Sequence, residues 1–110
     1  MNLSEIIDRL SLRVVAGDAE REAEGVHAGD FLSRAMSHIG ADDLWITIMN
    51  NVNVIAVASL TDAAAVLLAE DVALNPDALD AAKAKDVTVL SSDKSVYELC
   101  VELGKIFGAS

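Results

Sequence analysis

The chain has 110 residues, 53% of them apolar and only 4% aromatic, which suits a single domain spanning 1–110 with a core of Val, Ile, Leu and Ala. Its formal charge is −10 and its eight basic residues are scattered along the sequence, so nucleic acid and anionic membranes are excluded as partners. Cys100 is the single cysteine, which excludes an intrachain disulfide and a multi-cysteine metal site.

Residues 3–10 predict a first helix, with Ser4 as its cap and Leu3, Ile6, Ile7 and Leu10 on one face. Residues 12–16 read as a short strand stopped by Gly17-Asp18. The polar stretch 18–24 reads as an exposed turn or loop, and Val26 and His27 as extended. Asp30 is the expected N-cap of the next helix, whose buried face takes Phe31, Leu32, Ala35, Met36 and Ile39. His38 falls in its last turn and Gly40 at its end. Residues 44–49 read as a strand. Residues 53–60 fit two readings: the β-branched content argues for a strand, whereas an asparagine cap and the need to cross over to a parallel neighbour favour a helix. A buried strand over 64–68 follows. Asn75 and Pro76 then open a helix that closes near Lys83 and Lys85. Residues 87–90 form the last strand. Asp93 or Ser92 opens the terminal helix, which buries Val96, Leu99, Cys100, Leu103 and Phe107 and is capped by Gly108.

Strands that alternate with helices imply an α/β fold, a mostly parallel sheet flanked by helices in a two-layer or three-layer sandwich. Trp45 is core if both sheet faces are covered. If one is open, Trp45, Thr47 and Met49 form an apolar seam for a second subunit. The amino-terminal MNLSEIIDRL lacks a long apolar stretch, and VIAVA and AAAVLLA are too short to span a bilayer. A soluble, cytoplasmic protein is expected.

Open parallel sheets bind ligands at the carboxyl ends of their strands. Polar residues follow two of the strands here, Asn50, Asn51 and Asn53 after one and Ser91 and Ser92 after another. If those strands are parallel neighbours, both sets share one rim. There, amides, hydroxyls and a helix N-terminus suit a small polar or anionic ligand. The competing reading is that asparagine and serine simply make turns and caps. His27, framed by Gly25 and Gly29, could join Asp30 in a small enzyme site, and the Asn51/Ser91 rim is a second enzymatic alternative. His38 lies eight residues beyond Asp30, about 12 Å along a helix, so those two cannot share a metal. Cys100, flanked by Glu98 and Glu102, reads as a small buried hydrophobe. The pairs Asp42-Asp43 and Glu70-Asp71 read as solvated loop charges. The segment Gly25–Asp30 lacks the third glycine and the GK[ST] ending of a phosphate loop, and no cofactor is expected.

The stretch from Gly29-Asp30-Phe31-Leu32-Ser33 through Met36, then Leu44-Trp45-Ile46-Thr47-Ile48, Asn53-Val54-Ile55-Ala56-Val57-Ala58-Ser59-Leu60, Ala64-Ala65-Val66-Leu67-Leu68, Pro76, Ala82-Lys83 and Val89-Leu90-Ser91-Ser92 resembles the DRTGG domain family. That family is similar to the amino-terminal domain of bacterial HPr kinase/phosphorylase. The resemblance implies an α/β sandwich and a regulatory or ligand-binding module. Met49-Asn50-Asn51 stands where the family carries its glycine-aspartate-arginine element, and Leu68-Ala69-Glu70-Asp71 where it carries threonine-glycine-glycine. The function expected is therefore a non-enzymatic regulatory module. Its partners would be a small metabolite or nucleotide or a protein, and it would be a homodimer. A small enzyme and a purely structural interaction domain are the alternatives.

Overall fold

Period-two and helical patterning resolve into ten elements: α1 (Leu3–Leu10), β1 (Arg13–Ala16), β2 (Gly25–Ala28), α2 (Leu32–His38), β3 (Asp43–Thr47), α3 (Val52–Thr61), β4 (Ala65–Leu68), α4 (Pro76–Ala84), β5 (Val89–Ser91) and α5 (Val96–Phe107). They are seen in a computed structural model that describes residues 1–108. The strands form one sheet in the order β1-β5-β4-β3-β2. The strands β2 to β5 are mutually parallel, and β1 runs antiparallel along β5.

Both faces of the sheet are covered, which settles the layer count at three. Trp45, Val66, Leu68 and Val89 face α2, α3 and α4 and pack with Ala35, Val54, Ile55, Ala58, Ala78 and Ala82. The alternate residues Leu44, Ile46, Ala65, Leu67 and Leu90 face α1 and α5 and pack with Leu3, Ile6, Leu10, Leu99 and Leu103. Every residue of β4 is buried, as a central parallel strand requires. Trp45 is fully buried, with its indole N–H donating to the Gly29 carbonyl at 2.9 Å. The sheet face it occupies is thus an interior surface, and the seam that an open face would have offered does not exist.

Residues 53–60 belong to a helix. Asn51 caps α3 by accepting from the Asn53 N–H at 3.0 Å. The helix lies between α2 and α4 as well as on the sheet, and buries Val54, Ile55, Val57 and Ala58. Coverage on three sides removes the polar stripe that would have marked it as a helix.

Several caps differ from expectation. The cap of α1 is Asn2, whose side-chain Oδ1 accepts from Ser4 N–H at 2.8 Å. Phe31, not Asp30, occupies the N-cap position of α2, and no side chain caps that helix. Phe31 and Met36 are 76% and 55% exposed, because a seven-residue helix buries only the stripe through Ala35 and toward Ile39. Ser95, rather than Ser92 or Asp93, opens α5 through a reciprocal capping box with Glu98. Asn75 holds the N-cap position of α4 without a side-chain bond. Within 18–24, Ala23 is fully buried and exchanges backbone hydrogen bonds with Met1. Gly17 adopts φ +89°, and a Cβ there would lie 2.5 Å from the Thr88 Cα, so only glycine fits.

Candidate functional site

Parallel pairing brings the carboxyl ends of β2 to β5 to one edge, with Thr47, Leu68 and Ser91 in register across it. The amino end of β1 joins the same edge, because Arg13 pairs with Ser91. The connections after β4 and β5 then leave for opposite faces of the sheet, since α4 packs in one cluster and α5 in the other. A crevice forms where adjacent connections diverge in this way.

The crevice is laced shut on the α5 side. The Glu70 N–H donates to the Lys94 carbonyl and the Asp71 N–H to the Ser92 carbonyl, each at 2.8 Å. On the α4 side it opens into a cleft of about 320 Å³. Arg13, Asp71 and Ser91 provide its polar wall, while Val15, Leu74 and Leu79 provide its apolar wall. The Arg13 guanidinium donates to the Ser91 hydroxyl at 3.0 Å and to the Asp71 carboxylate. Ser91 is buried, whereas the Arg13 and Asp71 side chains are each more than half exposed. The cleft therefore combines a buried hydroxyl with an exposed ion pair. An incoming anion can compete with Asp71 for the guanidinium, because an exposed pair is held by no more than about 1 kcal/mol.

The sequence-derived rim residues divide by what holds them. Ser91 lines the cleft. The Asn50 amide donates to the Ala73 carbonyl at 2.7 Å, and its own carbonyl accepts from Asn75 N–H at 3.1 Å, so it ties the β3–α3 loop to the lip of the cleft. Asn51 is occupied as the α3 cap, and Asn53 lies exposed in the first turn of that helix. The Ser92 hydroxyl accepts from Lys94 N–H at 3.0 Å and shapes the β5–α5 loop. All five stand on one rim, but only Ser91 is among the cleft-lining residues. Arg13 escaped the sequence reading because nothing local links it to Ser91, 78 residues away; the antiparallel β1–β5 register makes the contact.

His27 and Asp30 do not converge on a common centre. Asp30 accepts from the Thr47 hydroxyl at 2.7 Å and from Ile48 N–H at 3.2 Å, clamping the end of β3. His27 instead stacks on His38, with ring centroids 6.4 Å apart. Burial lowers the His27 pKa below its usual value, helped by the charges of His38 and Arg34 and opposed by Asp43. Burial pushes the Cys100 thiol up, away from a nucleophilic thiolate. Among the described residues no three His, Cys, Asp or Glu side chains gather as a metal would require. None of the helices described is long and apolar enough to cross a membrane.

Fold and edge together define a small three-layer α/β domain with a concave carboxyl rim. The chain belongs to the DRTGG domain family, whose model matches residues 5–105. It is similar to a solved structure, the CBS and DRTGG domains of the regulatory region of Clostridium perfringens pyrophosphatase complexed with its activator, diadenosine tetraphosphate. The TM-score is 0.69 at 13% identity, a likeness of fold, covering 88% of this chain and 43% of that one. This chain thus spans less than half of that protein's solved chain. No curated protein sequence matches significantly.

The loop after β4 holds two consecutive left-handed residues. Glu70 and Asp71 both adopt left-handed conformations, φ 59° and 58°. Glycine reaches this region without strain, whereas a residue with a Cβ does not.

Proposed function

We propose that the chain is a non-enzymatic regulatory module of the cytoplasm that binds a small polar or anionic ligand at the carboxyl rim and works as a homodimer. The observation that carries this reading is the cleft between β1, β5 and α4. It has an apolar wall, a buried hydroxyl at Ser91, and a guanidinium at Arg13 that is held by that hydroxyl and by an exposed carboxylate. Such a mixture of apolar lining and a few oriented polar groups suits a small molecule. Asn50, Asn51, Asn53 and Ser92 complete the rim by holding its loops and the first turn of α3. A nucleotide is the ligand class we favour, because the similar pyrophosphatase region is complexed with diadenosine tetraphosphate. The likeness to the amino-terminal domain of HPr kinase/phosphorylase is read in the same sense, as that of a regulatory domain and not of a kinase.

A protein partner is a second reading, favoured by one observation. Phe31, Ile48 and Val52 are exposed apolar residues where α2 begins, β3 ends and α3 begins, all on the same rim.

The test is a thermal-shift panel of nucleotides, acyl phosphates and central metabolites, run beside a turnover assay. The expected result is a ligand that raises the melting temperature without product formation and loses its effect in Arg13→Ala and Ser91→Ala. Product formation would end the non-enzymatic reading. A shift that survives both substitutions would remove the ligand from this cleft.

A further inference from the structure

The two edges of the sheet are treated differently. Strand β1 carries a register irregularity between Val14 and Ala16 and an exposed arginine, Arg13. Bulges and charges of this kind prevent an edge from pairing with another chain. Strand β2, with the sequence Gly-Val-His-Ala, has no bulge, no proline and no charged residue. Glu24 and Gly29 donate to Asp42 and Ile46 of the β3 side. Asp43 and Thr47 accept from Ala64 and Ala69 of the β4 side, so Leu44 and Ile46 turn to β2, where the register bonds them to Gly25, His27 and Gly29. The N–H and C=O groups of Val26 therefore point outward. Beside this edge runs a groove of about 280 Å³, lined by Val26, Ala28, Cys100, Leu103, Gly104 and Phe107.

From this geometry we infer that β2 is the dimer seam, pairing antiparallel with β2 of a second copy about a twofold axis at Val26. The location rests on the homodimeric part of the proposed function and not on the rim cleft. Three features single out a second copy as the occupant. The pattern is self-complementary: Val26, whose groups point outward, meets Val26 of the other copy and exchanges two hydrogen bonds with it, while Gly25 of one copy stands opposite His27 of the other. The side-chain chemistry also matches. Gly25 leaves space for the opposite imidazole, and the Asp43 carboxylate stands beside Gly25, since a Cβ there would fall 2.6 Å from its Oδ1. Finally, the chain carries −10, and no residue lining the groove is charged. Two copies can meet there without opposing carboxylates. The twofold at Val26 brings the two grooves together, so that Leu103 and Phe107 of each copy flank the joint.

Sedimentation equilibrium on the full chain tests this, with Ala28→Lys and Val26→Pro as edge variants and Val14→Lys as the β1 control. Melting curves of each variant verify folding; Ala28 is exposed and accepts lysine without a packing change. The expected result is a wild-type dimer that both edge variants reduce to monomer and the control leaves intact. A monomeric wild type would overturn the dimeric reading itself. A dimer that persists in a folded Ala28→Lys, or that Val14→Lys dissolves, would overturn the seam alone.

Discussion

Glu70 and Asp71 sit side by side in a backbone region that disfavours any residue with a Cβ. The turn survives because its amides are anchored to Lys94 and Ser92. Glu70→Gly removes the Cβ strain and keeps the anchoring bond, so it should raise stability by about 0.5–1 kcal/mol after glycine's entropic cost. Urea unfolding measures this; a clear loss of stability would show that the Glu70 side chain has a role not described above. His27 offers a second test at this scale. Its pKa is lowered in the folded protein by burial first and by neighbouring cations second, so the unfolded chain binds the proton more readily. Its contribution is fully present above the unfolded value near 6.5, and is lost as the pH falls through that value toward the lower folded one. Stability measured between neutral and mildly acidic pH should therefore decline less steeply in His27→Asn than in the wild type. Identical slopes would contradict the assignment. Neither feature was legible in the sequence: a left-handed residue and a stacked imidazole are products of tertiary placement.

At the scale of elements, the strands and helices were legible wherever a single face is buried. Leu3, Ile6 and Leu10 of α1 and Leu99 and Leu103 of α5 repeat at helical spacing and are buried as that spacing requires. The caps were less legible, because a cap is defined by where the chain turns and not by residue type. Asp30 has the chemistry of a cap, but Thr47 and Ile48 claim its carboxylate across a neighbouring strand. Helix α2 was over-read for a related reason: Phe31 and Met36 fall near the apolar period but find no second layer to cover them. Alanine content was the better guide to the helical layer. Ala58, Ala78 and Ala82 are buried where α3 and α4 pack on each other and on the sheet. Ala82→Leu should cost about 1–3 kcal/mol through overpacking, whereas Ala84→Leu, on an exposed position of the same helix, should be nearly neutral. Paired denaturation curves check this, and equal effects would contradict the close packing.

Across the whole molecule, three parallel crossovers put α2, α3 and α4 on one face, and α5 returns across the other. The mostly parallel sheet was legible from the alternation of strands and helices, and so was the rim on which Asn51 and Ser91 both stand, but the layer count and the face each helix takes were not. The cleft was legible only in part. Ser91 announced itself by following a strand, but its partner Arg13 comes from the antiparallel edge strand, whose pairing no local pattern records. The fold thus assembles the cleft from elements far apart in sequence. The most direct measurement is the melting temperature of the wild type and of Arg13→Ala across a panel of nucleotides and other anionic metabolites. At a hundredfold excess over its dissociation constant a ligand stabilises by about 2.7 kcal/mol, roughly ten degrees for a domain of this size. A shift of that order in the wild type, absent in Arg13→Ala, is the predicted result. The same shift in both proteins would contradict a site at Arg13, and none across the panel would contradict the small-ligand reading.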